Sequence, residues 1–274
     1  MAVESAGVKY AGILSALEKL PIVSEYARTR GWSFVLSWCQ RISGLILVAF
    51  TWYHIYTLSS LTAPEQFQAK MKVFGVFVFV FLEWALAIPV IFHAFNGGRV
   101  ILYESFEKRN EESMIQWVLG LSLLYLALLA FLMLLGGQTV SAVFFWLTMI
   151  AAGLVLAYGV TVRAWPTAHS RLWKMQRISG AYMLVMISAH MLFMHLNYAV
   201  GHDAATVIAR LQNYFIKFVD LTLVLAALYH GGYGLVTVYS DYIGSSVLRT
   251  VLAALVTAVM LIFAWAGVKL IFVI

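Results

Sequence analysis

Long apolar runs separated by short polar joints dominate the chain, and seven runs stand out. They cover Phe34–Ser59, Val73–Gly97, Met114–Leu135, Val140–Val162, Met175–Val200, Leu211–Tyr239 and Val251–Ile274. A helix needs roughly 20 apolar residues to cross the hydrocarbon core of a bilayer, and each run is of that order. Gly136, Gly137, Gln138 and Thr139 divide the third run from the fourth and read as a tight polar turn. The pattern predicts an all-α integral membrane bundle of seven transmembrane helices.

Composition fits this solvent. Hydrophobic residues make up 63% of the 274 residues and charged residues 11%, against roughly 45–50% and 25% in soluble domains. The charges also orient the bundle. With the N-terminus in the cytoplasm, the segments on that side carry 13 of the 18 Lys and Arg, and the opposite segments carry five. Cytoplasmic joints are expected to hold this excess, so the C-terminus is expected outside. The net charge of +6 follows from that bias and gives no reason to expect a nucleic-acid partner. The single cysteine, Cys39, excludes a disulfide framework, a self-contained iron–sulfur cluster and covalent haem attachment. Residues 1–33 are expected to be a cytoplasmic segment, since their charges do not read as a signal peptide. Within it, Val8 to Tyr26 reads either as a surface amphipathic helix or as a tail ordered by a partner.

The chain repeats itself. Gln40-Arg41-Ile42-Ser43-Gly44 opens the first run, and Gln176-Arg177-Ile178-Ser179-Gly180 opens the fifth, an offset of 136. His54 lies 13 positions after Arg41, and His190 lies 13 after Arg177. At an offset of 137, His93 and Gly97 match His230 and Gly234, and Glu83 matches Asp220. Two three-helix repeats are therefore expected, at 34–137 and 164–274. For both to begin on one side of the membrane, a linking helix must cross between them, and 138–163 supplies it.

Four histidines sit within runs at matched places: His54, His93, His190 and His230. A buried imidazole is costly unless its nitrogens are satisfied, and neutral imidazole is a good ligand for haem iron. At 1.5 Å per residue, His54 and His190 lie roughly 20 Å beyond the arginines that open their helices, toward the outer side, while His93 lies about 9 Å from Arg99. His230 also falls in the inner half. The expected pairs are His54–His190 and His93–His230, two haem sites roughly 10 Å apart in depth. His195 is a rival to His190 as ligand. His169 and His202 fall in joints and are expected to be solvated. Arg41, Arg99 and Arg177 are candidates for haem propionates or for positive-inside anchoring. Pro89, four residues before His93, is expected to free the carbonyl of Ala85. Glu83 and Asp220 lie near the outer haem. They read either as proton-handling groups or as neutral acids tying helices together.

These residues resemble the membrane anchor of succinate dehydrogenases and fumarate reductases. Ser37-Trp38-Cys39-Gln40-Arg41-Ile42-Ser43-Gly44 is similar to the large-anchor motif, with Gln40 where His is common. His93-Ala94-Phe95-Asn96-Gly97-Gly98-Arg99 is similar to its haem motif, with Val100 where a further His is usual. His230, Gly234 and Asp241-Tyr242 are similar to the small-anchor motif. The chain thus resembles the large and small anchors fused through the fourth helix. The resemblance implies a dihaem cytochrome b holding two haem b groups, in the inner membrane of a bacterial or archaeal cell. It implies a quinone pocket of Ser37, Arg41, Asp241 and Tyr242 at the inner face, with menaquinone expected. It also implies a flavoprotein and an iron–sulfur subunit docked on the cytoplasmic side, where the dicarboxylate chemistry belongs. Two other readings remain: a dihaem cytochrome b of a formate dehydrogenase or hydrogenase, against which Asp241-Tyr242 speaks, and a proton-coupled transporter.

Overall fold

A computed structural model of the chain describes residues 13–17, 19–107 and 110–274. The described residues are all-helical apart from turns and joints. Two short helices, α1 (Ile13–Leu17) and α2 (Pro21–Arg30), precede the first span. The expected surface helix from Val8 therefore begins outside the described residues, and its described part is two helices. Seven long apolar helices follow as candidate membrane spans: α3 (Trp32–Ser59), α5 (Phe77–Phe106), α6 (Glu111–Leu135), α7 (Ala142–Ala164), α8 (Arg171–Leu196), α11 (Tyr214–Ser240) and α12 (Ser246–Val273). Three shorter helices join them at one end: α4 (Pro64–Phe74), α9 (Tyr198–His202) and α10 (Ala204–Leu211).

Helices are forced here because hydrocarbon offers the backbone no hydrogen bonds. Their starts are marked by small polar residues. Asn110, Ser141, Ser170, Asn213 and Ser245 each accept a bond from a backbone N–H in the first turn of α6, α7, α8, α11 and α12. Such caps satisfy donors that a helix start leaves open. Between α6 and α7 the chain reverses on Gly136 (φ +55°) and Gly137 (φ +71°), a left-handed backbone that glycine adopts without penalty. Helix α5 runs on through Pro89.

The spans differ from the sequence expectation at their edges. Helix α5 continues nine residues past Gly97 to Phe106, and α8 stops at Leu196, where Asn197 turns extended and caps α9. The joint expected between the fifth and sixth spans is itself helical. Amphipathic α10 buries Val207 and Leu211 against Phe67 and Met71 of α4 and against Leu61. These two helices close one end of the bundle, called here the capped end. The opposite end carries Arg41, Arg99 and Arg177 and is the basic end.

Four spans form the centre. Helix α3 packs on α5 and α11, and α8 packs on the same two. Helix α6 lies on α5 and reaches α8, while α12 lies on α11 and reaches α3. Each helix of the first repeat thus has a counterpart in the second with matching neighbours. Helix α7 has none, and packs along α8 through Trp146, Ile150 and Ala157 beside Tyr182 and Met186. Gly153 permits this approach, since a Cβ there would lie 3.2 Å from the Tyr182 ring.

Candidate functional site: two histidine pairs across the central helices

The four intramembrane histidines meet in two pairs. His93 of α5 faces His230 of α11, ring centroids 6.3 Å apart and planes at 86°. His54 of α3 faces His190 of α8 at 6.2 Å and 87°. These are the pairings that the repeat predicts. Each pair joins one helix from each repeat.

The first pair is held from behind. The Ser43 hydroxyl lies 3.2 Å from Nδ1 of His93, which is also 3.2 Å from the Gln40 carbonyl. In the second repeat the Ser179 hydroxyl lies 3.4 Å from Nδ1 of His230. Gly44 and Gly180 stand where a Cβ would come within 3.1 Å of the His93 ring and 3.0 Å of the His230 ring. With Nδ1 occupied, Nε2 of each ring is the nitrogen left for a ligand. The second pair lies among aromatic rings. Phe50 stacks on His54 at 5.5 Å, and Trp146 lies 6.3 Å from His190. Nδ1 of His190 is buried and has no hydrogen-bond partner.

The donor set fits a haem. A metal–nitrogen bond of about 2.0 Å, plus about 1.1 Å from ring nitrogen to ring centre, puts two axial imidazole centroids about 6.2 Å apart. Among the described residues no cluster of three or more His, Cys, Asp or Glu is placed to hold a metal ion. Two facing imidazoles are a different donor set, one that a macrocycle completes.

The basic end is closed by crossed ion pairs. Arg41 of α3 donates to the Tyr242 hydroxyl at 2.6 Å and pairs with Asp241 at 2.8 Å. Its guanidinium also lies over the Tyr242 ring, and Trp38 lies 6.1 Å from that ring. Ser37 is exposed one turn before Arg41. Arg177 of α8 grips Glu104 of α5 with two bonds of 2.5 and 2.9 Å. Arg99 donates to Asn96 at 2.8 Å and pairs with Glu111 at 3.3 Å, and Glu111 also accepts from Ser33. Asn96 is fully buried and donates to Gln40, whose amide donates to the His93 carbonyl. The sequence pattern alone assigns no role to Gln40, Ser43, Ser179, Asn96 or Glu104. The first three stand in the duplicated pentapeptide, and Glu104 is the repeat counterpart of Asp241 at the offset of 137.

Toward the capped end, Glu83 faces two imidazoles. Its carboxylate lies 3.3 Å from Nε2 of His195 and 3.7 Å from Nε2 of His202. His195 also has Nδ1 at 2.6 Å from the Met191 carbonyl, so both its nitrogens have partners and His190 takes the place opposite His54. The expectation that His202 is solvated is overturned. Its side chain is 13% exposed, because the turn at Asn197 folds α9 back toward α5. His169 is exposed, stacked on Trp173 at 4.0 Å. Asp220, the repeat counterpart of Glu83, has Arg210 of α10 as its charged neighbour rather than histidines.

Comparison with known proteins follows the same division. The family model described as "Succinate dehydrogenase/Fumarate reductase transmembrane subunit" matches residues 27–130 and 160–268. The "Succinate dehydrogenase 2 membrane subunit SdhC" of Mycobacterium tuberculosis is 31% identical over 91 residues, which is 32% of this chain and 65% of that protein. The chain therefore spans a little under two thirds of that relative's length. No solved structure matches the chain. The two matched regions together cover well over half of the chain, and it belongs to the succinate dehydrogenase/fumarate reductase transmembrane subunit family, as a multi-pass membrane protein.

Proposed function

We propose that this chain is a dihaem cytochrome b anchor that passes electrons between an iron–sulfur subunit and membrane quinone in a succinate:quinone oxidoreductase. The observation that carries the reading is the two facing imidazole pairs, ring centroids 6.2 and 6.3 Å apart, each joining two central helices. Haem b bound there supplies one-electron storage at two depths, which suits stepwise transfer to a two-electron acceptor. His93 and His230 hold one ring and His54 and His190 the other. Ser43 and Ser179 fix two of the imidazoles through Nδ1, as outer partners of ligating histidines do. Arg41, Arg99 and Arg177 offset propionate charge at the basic end while keeping their acid partners.

Quinone chemistry falls to the exposed side of the same end. Ser37, Arg41, Asp241 and Tyr242 form the head-group site. Arg41 and Tyr242 donate to quinone oxygens, and Asp241 holds the guanidinium in place. With the basic end cytoplasmic, as the charge bias favours, the site faces a docked flavoprotein and iron–sulfur subunit. Menaquinone is the expected quinone. Glu83 and Asp220 handle protons near the second haem site, and His195 and His202 give Glu83 neighbours with which to share one. The family match on either side of α7 supports two anchors joined by that helix.

The test uses the complex isolated from its native membrane. Co-isolation of a flavoprotein and an iron–sulfur subunit, and haem b reduced by succinate or by reduced menaquinone analogue, is the expected result. Haem that responds to neither donor defeats the reading.

A further inference from the structure

Three arginines at the basic end have acid partners: Arg41 with Asp241, Arg99 with Glu111 and Arg177 with Glu104. Arg210 at the capped end is different. Among the described residues it makes no ion pair within 4.0 Å. Its Nε is buried without a partner, and Nη1 reaches only the thioether of Met194, at 3.3 Å. A thioether is a weak acceptor, and Asp220, the acid that feels this charge, lies beyond ion-pair distance. Burial pushes the Arg210 pKa below the ordinary guanidinium value, against the pull of Asp220.

The position of Arg210 is fixed from both sides. Helix α10 is held by its Asp203 cap, by a bond from Ala204 N–H to Gln68, and by the burial of Val207 and Leu211. Met194 follows His190 by one helical turn on the same face of α8, a spacing of about 5–6 Å. The guanidinium therefore sits one turn beyond His190 toward the capped end, within electrostatic reach of that imidazole. Asp220 is its charged neighbour, and His195, which acts on His190, is already engaged by Glu83. The site opposite His190 is the one that would bring carboxylates of its own.

We propose that Arg210 is the counter-charge for a propionate of the haem held by His54 and His190. This rests on the dihaem reading and assigns a positioning residue to its second site. A fixed cation beside the ring stabilises the reduced form, which carries one positive charge less, so it raises that haem's reduction potential.

Redox titration of the purified complex, with haem extraction alongside, tests this with R210Q and R210K. Wild-type protein should contain two haems and titrate as two components. In R210Q one component should shift to lower potential while the other stays. R210K should return the shifted component toward its wild-type value. In a H190A background, which lacks that haem, R210Q should shift nothing. Unchanged potentials in R210Q with both haems bound would overturn the proposal. So would loss of a haem in R210Q that R210K does not restore, because the charge would then not be what matters. Wild-type protein with fewer than two haems defeats the underlying reading instead, before any variant is made.

Discussion

The two ends of the bundle are built by different rules. At the basic end the contacts of the duplicated pentapeptide have their doubles. Ser43 stands to His93 as Ser179 stands to His230. Gly44 and Gly180 make room for those rings alike. Arg41 crosses to Asp241 of the other repeat, and Arg177 crosses to Glu104. Toward the capped end the histidine pair is doubled and nothing around it is. Glu83 meets two histidines, while its counterpart Asp220 has an arginine of α10 as its charged neighbour, beyond ion-pair distance. Asymmetries also mark the basic end: Tyr233 and Val236 stand where Asn96 and Arg99 would repeat, and Ser105 stands where Tyr242, the hydroxyl partner of Arg41, would repeat. On the proposed reading, duplicated histidines hold the electron carriers, and the departures at Tyr242 and around Glu83 mark the quinone and proton chemistry.

Removing an axial histidine tests the duplicated part and has the largest expected effect. H93A or H230A should each cost one haem of two, and H54A or H190A should each cost the other, measured by haem extraction. The glycines sharpen this. G44V and G180V should lower occupancy of the same haem, since overpacking a filled site costs about 1–3 kcal/mol.

The asymmetric groups should affect turnover instead. E83Q is expected to slow quinone turnover by about 10²-fold, the usual scale of a lost acid–base group, with haem content unchanged. Full turnover in E83Q would remove the proton role and leave Glu83 as a tie between α5, α8 and α9. The crossed arginines separate next. R41A should reduce quinone turnover by roughly 10- to 100-fold, the worth of a hydrogen bond to a charged group. R177A should reduce turnover less than R41A, shift the potential of the His93–His230 haem downward and lower thermal stability by about 1 kcal/mol. Equal effects on turnover would erase the distinction drawn between the two pairs.

The smallest effect concerns α10. The Asp203 carboxylate accepts from Thr206 N–H at 2.8 Å and from its hydroxyl at 2.6 Å, which holds its pKa below the usual value. A depressed folded-state pKa adds stability above the unfolded value, and that stability is lost as pH falls through the folded one. Protection of the α10 amides, taken relative to the intrinsic exchange rate at each pH, should therefore fall in acid, and D203N should flatten that dependence.

What the sequence discloses follows the same division. Seven spans were legible because hydrocarbon demands long apolar helices, and the histidine pairing was legible because the repeat placed His54 with His190 and His93 with His230. Helices α4, α9 and α10 were not, since 5 to 11 residues of mixed polarity read as joints. Arg210 therefore counted only as a charge outside the spans. The Glu83–His195–His202 contact joins residues that no repeat offset relates, so no pattern announced it. Glu104 is legible through the repeat, because the offset of 137 relates it to Asp241.

The central claim is that two imidazole pairs hold two haems. Haem extraction and a reduced-minus-oxidised spectrum of the purified chain, set beside H93A and H190A, test it most directly. Two b haems per wild-type chain and one in each variant is the expected result. No haem in the wild-type chain would contradict both pairs, and a single haem untouched by H190A would contradict the pairing of His54 with His190.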